Sequence, residues 1–146
     1  MNKLINNLRQ LNINNNLLNK KKYLENYNSL DYKKFINLKN NTYNRNLVYR
    51  DKNFELFIIS WNKNNYSGIH NHSENGCLFK ILEGEIVETR YNIKNLEEGV
   101  MIKYNTYSEV SYIDNSLYYH KMENIFDIPC ISLHIYSPPK FEPVFY

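Results

Sequence analysis

The chain has 146 residues and a net charge of +3, with 26 Asn, 14 Tyr and 14 Lys beside four Gly, four Pro and no Ala. This length predicts one domain, residues 1–146, with a single core, and the composition excludes collagen-like, Gly/Ser-linker and Pro-rich classes. Residues 1–40 carry +6 and residues 41–146 carry −3, yet the longest basic run, Lys20-Lys21-Lys22, lacks the density of a nucleic-acid arm and reads as a solvated helical face.

In chain order, residues 2–19 place Leu4, Leu8 and Leu11 on one helical stripe, with Ile5 beside it. Asn14-Asn15-Asn16 is a weak spot, since Asn is a poor helix former. Residues 17–27 predict a second helical stretch. Ser29-Leu30-Asp31 offers an N-cap for a third, with Tyr32, Phe35, Ile36 and Leu38 as its apolar residues and Asn40-Asn41 as its end. Residues 1–41 are therefore expected to form a helical lead-in.

From residue 42 the apolar period is that of strands. Residues 54–61 (FELFIISW) read as an apolar strand, and residues 76–91 as a long strand region broken at Glu83-Gly84-Glu85. Short strands are expected at 99–104, 107–113, 116–122 and 130–136, divided by turn chemistry such as Asp114-Asn115 and Asp127-Ile128-Pro129. This spacing predicts a mainly β sandwich or barrel over residues 42–146. The missing Ala is no obstacle, because the 15% aromatic content supplies core volume. The Asn and Lys excess reads as nucleotide bias rather than function.

No run of 18 apolar residues is present, so no membrane-spanning helix is expected. The stretch Met1-Asn2-Lys3-Leu4-Ile5 lacks the apolar segment of a secretory signal. Cys77 and Cys130 are too few for a disulfide scaffold, so a reducing cytoplasm is the expected setting, with neither membrane nor nucleic acid as partner.

The strongest local signal is His70-Asn71-His72. On a strand, residues two apart share a face, so two imidazoles there can share one metal ion. Cys77 follows after four residues and Gly84 after six more; His120 stands four residues before Asn124. This His-x-His-x4-Cys-x6-Gly and His-x3-Asn spacing resembles the two motifs of the cupin barrel. The likeness implies a double-stranded β-helix (jelly-roll) fold. Cupins normally carry a Glu ligand where this chain has Cys77. Asn64 stands where a Gly is expected, and the Pro-x-Gly turn before the last His is absent.

Cys77 points to one branch. Tyr43-Asn44-Arg45-Asn46-Leu47-Val48, Ile69-His70-Asn71-His72, Cys77, Leu82-Glu83-Gly84 and Glu88-Thr89 follow one another in order. His120, Glu123-Asn124 and residues 132–139 (SLHIYSPP) come after them. Together these blocks, spanning residues 43–139, resemble cysteine dioxygenase. That family implies an iron(II) enzyme that oxidises the small-molecule thiol L-cysteine with O2 to cysteine sulfinic acid, acting as a monomer. Ten residues follow Tyr136, fewer than the family usually carries, so closure of the site mouth is left open.

The resemblance assigns His70, His72 and His120 to the metal. The chemistry agrees: three neutral imidazoles leave the full 2+ charge on the ion, so a thiolate substrate binds without piling up negative charge. A Glu at position 77 would take a coordination site; Cys77 leaves it to substrate or oxygen. A structural zinc site, by contrast, prefers four closed ligands rich in Cys. Arg45 is the expected carboxylate clamp, a planar and permanently charged fork. Tyr43, two residues away on a strand, shares its face and can add a phenol hydrogen bond. Ser132, His134 and Tyr136 alternate on one strand face. The family makes these three a catalytic hydrogen-bonded relay and joins the Tyr to the Cys by a thioether bond. That implies a crosslink between Cys77 and Tyr136, and a cis peptide at Ser137-Pro138. Trp61 is expected in the barrel wall, and Cys130 as an inert core thiol.

Two alternatives stay open. One keeps the chemistry but changes the substrate to 3-mercaptopropionate or another small thiol; that sister group carries Gln at the clamp, where this chain has Arg45. The other is a non-catalytic cupin that binds a metal or ligand without turnover.

Overall fold

The computed structural model describes residues 1–9, 17–116 and 118–146. The lead-in opens with α1 (Asn2–Arg9), which buries Leu4 and Leu8. Leu11 and Asn14-Asn15-Asn16 lie outside the described residues. A 3-10 turn at Leu17–Lys20 runs into the short helix α2 (Lys21–Glu25). The third segment is a 3-10 turn, Asp31–Phe35, rather than a helix; the Ser29 hydroxyl accepts the Asp31 N–H as a cap would, at 3.2 Å. Lys20 does not lie on a solvated face but is buried.

Eight strands follow: β1 (Asn44–Arg50), β2 (Glu55–Trp61), β3 (Cys77–Glu83), β4 (Ile86–Asn92), β5 (Asn95–Asn105), β6 (Val110–Ile113), β7 (Tyr118–Glu123) and β8 (Cys130–Tyr136). They form a five-stranded sheet, β1-β2-β8-β3-β6, and a three-stranded sheet, β5-β4-β7, with every pairing antiparallel. The break between β3 and β4 falls where expected. Gly84 adopts φ +72°, and a Cβ there would run into the Pro129 carbonyl.

Both faces of the five-stranded sheet are covered, which is why β2 reads as a continuous apolar run. Leu56, Ile58, Leu78, Leu133 and Ile135 point outward and share one apolar cluster with Leu4, Leu8, Leu17 and Leu24 of the lead-in. Phe57, Ile59, Trp61, Phe79 and Ile81 point inward and meet Ile86 and Met122 of the smaller sheet. The alternation puts Ser132, His134 and Tyr136 on the inward side of β8. Lys80 locks the lead-in to the sheet. Its buried ammonium donates to the carbonyls of Leu24 (2.8 Å), Glu25 (3.1 Å) and Tyr27 (2.6 Å), at the end of α2 and just beyond it; the Leu24 carbonyl also accepts the Tyr27 N–H at 3.1 Å. The Met1 ammonium pairs with Asp31, which also accepts the Tyr27 hydroxyl at 2.5 Å. Among the described residues, no helix is long and apolar enough to cross a membrane.

Candidate metal centre

The His-x-His segment is not on a strand. His70 makes an isolated bridge to His120 of β7, with the His70 N–H on the His120 carbonyl at 3.0 Å and the return bond at 3.2 Å. His72 lies in the loop before β3, where neighbouring strands supply no backbone partners. The Asn115 side chain replaces them: its Oδ1 accepts the His72 N–H at 2.8 Å, and its Nδ2 donates to the His72 carbonyl at 2.7 Å. The three imidazoles still converge. One ring nitrogen from each of His70, His72 and His120 lies within 4.8 Å of the other two.

Hydrogen bonding sets the tautomers. His70 Nδ1 is 2.8 Å from the Gly68 carbonyl, an acceptor only, so Nδ1 carries the proton. His120 Nδ1 is 2.7 Å from the Glu88 carboxylate and donates to it. In the neutral rings each Nε2 then presents a lone pair, and the two Nε2 atoms stand 3.1 Å apart. Two such lone pairs repel unless a cation lies between them. Two imidazole nitrogens about 2.1 Å from one ion, at a right angle, are about 3.0 Å apart. Neither ring nitrogen of His72 has a hydrogen-bond partner, although both are buried. The donor set therefore fits a metal ion. Burial and the neighbouring His120 press His70 down to about 3, and the same two causes push His72 well below its ordinary value. Both are neutral at physiological pH, as ligation requires.

A cleft of about 450 Å3, mouth included, opens onto His70 and His120, with Tyr43, Arg45, His134 and Tyr136 also in its lining. Arg45 lies on β1 with its guanidinium 4.4 Å from the Phe57 ring centre and 5.3 Å from that of Tyr136. Its buried Nε has no hydrogen-bond partner, and no carboxylate pairs with it among the described residues. Tyr43 stacks on Trp61 at 4.6 Å. A chain of hydrogen bonds runs along β8: the Trp61 indole N–H donates to Ser132 Oγ (2.9 Å), Ser132 Oγ meets His134 Nε2 (2.8 Å), and His134 Nδ1 meets the Tyr136 hydroxyl (3.2 Å). His134 stands outside the metal-binding cluster. Cys77 is the cross-strand partner of Tyr136, and its Sγ lies 3.8 Å from the same His134 Nδ1. Burial pushes the Cys77 thiol up; burial and the adjacent Cys77 push the Tyr136 phenol up. The Ser137–Pro138 peptide is cis. Cys130 is buried and unpaired with another cysteine.

The sequence matches the family described as cysteine dioxygenase type I over residues 1–143. The chain belongs to that family. It is 34% identical over 119 residues to the cysteine dioxygenase type 1 of Danio rerio, covering 77% of this chain and 59% of that one. It is 35% identical over 103 residues to that of Rattus norvegicus, covering 66% and 52%. The chain thus spans between half and three-fifths of these relatives' length. Among solved structures, a Klebsiella pneumoniae protein with a double-stranded β-helix domain superposes with a TM-score of 0.66 at 12% identity. That match covers 82% of this chain and 90% of the other, and it shows the fold.

Beyond the positions named from the cysteine dioxygenase likeness, the structure adds others. Glu88, read only as part of a matching block, is fully buried and holds His120; Arg90 stands 3.3 Å from its other oxygen. Burial raises the Glu88 pKa, but His120 and Arg90 outweigh it and hold the carboxyl below its ordinary value. A carboxylate at an inward position of the Ile-Val-Glu strand was its sequence signal. Asn115 and the Trp61 indole have no such signal, because each acts through a partner distant in sequence; the Gly68 carbonyl, two residues from His70, has none because it is a backbone group.

Proposed function

We propose that this chain is an iron(II)-dependent thiol dioxygenase that converts L-cysteine and O2 to cysteine sulfinic acid. Three converging imidazoles beside a cleft whose guanidinium has no carboxylate partner among the described residues carry this reading. Both oxygen atoms end on sulfur, which loses four electrons while dioxygen gains four. His70, His72 and His120 would hold the iron through ring nitrogens, with Glu88 and the Gly68 carbonyl fixing two of the rings. Bound there, ferrous iron supplies a Lewis-acidic site that favours the deprotonated thiol and a redox partner for dioxygen.

The chain's own groups do the rest. Arg45 offers its fork to the substrate carboxylate, and Tyr43 adds a phenol donor beside it. Orientation by these groups turns an encounter of thiol and oxygen into a positioned reaction. The Tyr136 hydroxyl, held by His134, can donate or accept a proton in the cleft, and Ser132 with Trp61 fixes the tilt of the His134 ring. A crosslink between Cys77 and Tyr136 would lock the phenol. It forms a carbon–sulfur bond and releases the thiol and ring hydrogens as two protons and two electrons, which dioxygen, already a substrate, accepts. We take residues 1–146 as one cooperative unit, because the lead-in and the sheet share one apolar cluster.

The test is oxygen uptake by iron-loaded protein on addition of L-cysteine, with the sulfinate identified by mass. Iron-loaded protein that consumes no oxygen with any small thiol would refute the reading and favour a non-catalytic cupin. Uptake with 3-mercaptopropionate alone would shift the substrate.

A further inference from the structure

We infer that residues 141–146 form a strap that sets the size of thiol the cleft admits, with Phe145 as the specificity-determining side chain; this rests on the thiol reading above. Apart from Tyr43, just before β1, the polar groups of the cleft stand on sheet strands or on the bridged His70 segment. Phe141, Pro143 and Phe145, by contrast, come from the segment after β8 and present only apolar surface to the cleft. Phe145 bridges the backbone of His70 from outside the two sheets, and its ring lies 5.7 Å from the His70 imidazole. Gly68 makes room for it: a Cβ there would lie 3.0 Å from Phe145 Cδ1.

The strap is held at two points. The Val144 N–H donates to the Asn71 side chain at 2.8 Å, and the Tyr146 N–H donates to the Ile69 carbonyl at 2.9 Å. Tyr146 also stacks on Tyr119 at 5.0 Å. Asn71 is the residue between the two expected ligands, so the latch closes directly on the metal segment. Val144, Phe145 and Tyr146 are all more than half exposed. For a thiol seated at the imidazoles, bulk beside the sulfur is expected to press on the Phe145 ring, whose centre lies 5.7 Å from that of His70, while the polar groups bind every substrate alike. Discrimination by size then falls to the strap.

The 146-residue chain provides its own probe, because Trp61 is the one tryptophan in this sequence and lines the same cleft. Wild type, Phe145→Ala, Phe145→Leu and Val144→Pro are compared; the last removes the N–H of the latch without touching the cleft lining. Acrylamide quenching of Trp61 in metal-free protein is expected to rise in Phe145→Ala and Val144→Pro. On cobalt(II)-loaded protein without oxygen, the thiolate absorption band reports binding of L-cysteine and of penicillamine, which carries two extra methyl groups beside sulfur. Phe145→Ala is expected to shift the ratio of the two affinities roughly tenfold toward penicillamine, and Phe145→Leu to restore most of the wild-type ratio. An unchanged ratio in Phe145→Ala overturns the specificity role, whatever the quenching does. Unchanged quenching in both Phe145→Ala and Val144→Pro overturns the strap as a wall. Absence of thiol binding in every protein, with quenching that responds, sinks the thiol reading and leaves the strap standing as a wall of the cleft.

Discussion

Glu88→Gln isolates the electrostatics of the candidate metal centre from its shape. The carboxylate is fully buried, accepts the His120 Nδ1–H at 2.7 Å and faces Arg90 at 3.3 Å. Gln keeps the volume but loses the charge. A hydrogen bond to a charged group contributes about 1.5–3 kcal/mol, more than its neutral counterpart. The variant amide also has a choice. With its oxygen toward His120, its NH2 meets the Arg90 donors; with its NH2 toward His120, Nδ1 must become the acceptor and the proton moves to Nε2. That second tautomer has no lone pair to offer a metal. Loss of such a supporting carboxylate lowers metal affinity about 10–100-fold, which is about 1.4–2.8 kcal/mol and in line with the lost hydrogen bond. Competition against a chelator of known affinity measures it, with the wild type alongside. Metal affinity equal to wild type's, together with a lowered melting temperature, would refute the reasoning. Glu88 would then be a structural partner of Arg90 and nothing more.

Three further outcomes are expected. Arg45→Gln removes the permanent charge of the clamp; L-cysteine turnover should fall roughly 10–100-fold and 3-mercaptopropionate turnover less, as steady-state kinetics with both thiols will show. Intact-mass analysis after many turnovers should find a fraction of molecules lighter by two hydrogens, and Tyr136→Phe should abolish that fraction. Burial, with the neighbouring imidazole of His120 and the Arg45 guanidinium, holds His134 well below its ordinary pKa of about 6.5. Below that pH the unfolded chain binds a proton that the folded chain excludes, so metal-free stability falls as pH drops through about 6.5. His134→Gln should make the slope shallower by about 1.4 kcal/mol per pH unit in urea unfolding between pH 6 and 5. An unaltered slope would mean that His134 is not held neutral.

The architecture was legible because it follows from local rules. Period-two alternation separated Ser132, His134 and Tyr136 from Ile131, Leu133 and Ile135, and the structure sends the two sets to opposite faces of one sheet. The break at Gly84 and the short strands after it fell close to their expected places. The lead-in was less legible. Its apolar stripe at Leu4 and Leu8 is real, but the later helical stretches shorten to 3-10 turns and α2, since Asn-rich segments gain little from helix propensity and take their shape from docking. Lys20 was expected on a solvated face and is buried; Lys80 is buried too, its ammonium satisfied by three backbone carbonyls.

At the candidate site, the sequence by itself determined which chemistry is available. Spacing alone pointed to the His70-His72 pair; the likeness to cysteine dioxygenase pointed to His120, Arg45 and the roles of Ser132, His134 and Tyr136, and alternation settled the face of the last three. Tertiary structure decided what those groups touch. The His-x-His pair converges from a loop rather than a strand, because a bridge to His120 and the two-pronged grip of Asn115 shape that loop. Protons reside on Nδ1 of His70 and His120 because a carbonyl and a carboxylate accept them. Residues 141–146 return to wall the cleft. Apart from the Gly68 carbonyl, two residues from His70, each of these contacts joins segments that chain spacing does not relate. Periodicity carries information only along one element; hydrogen-bond direction, burial and closure depend on which elements meet.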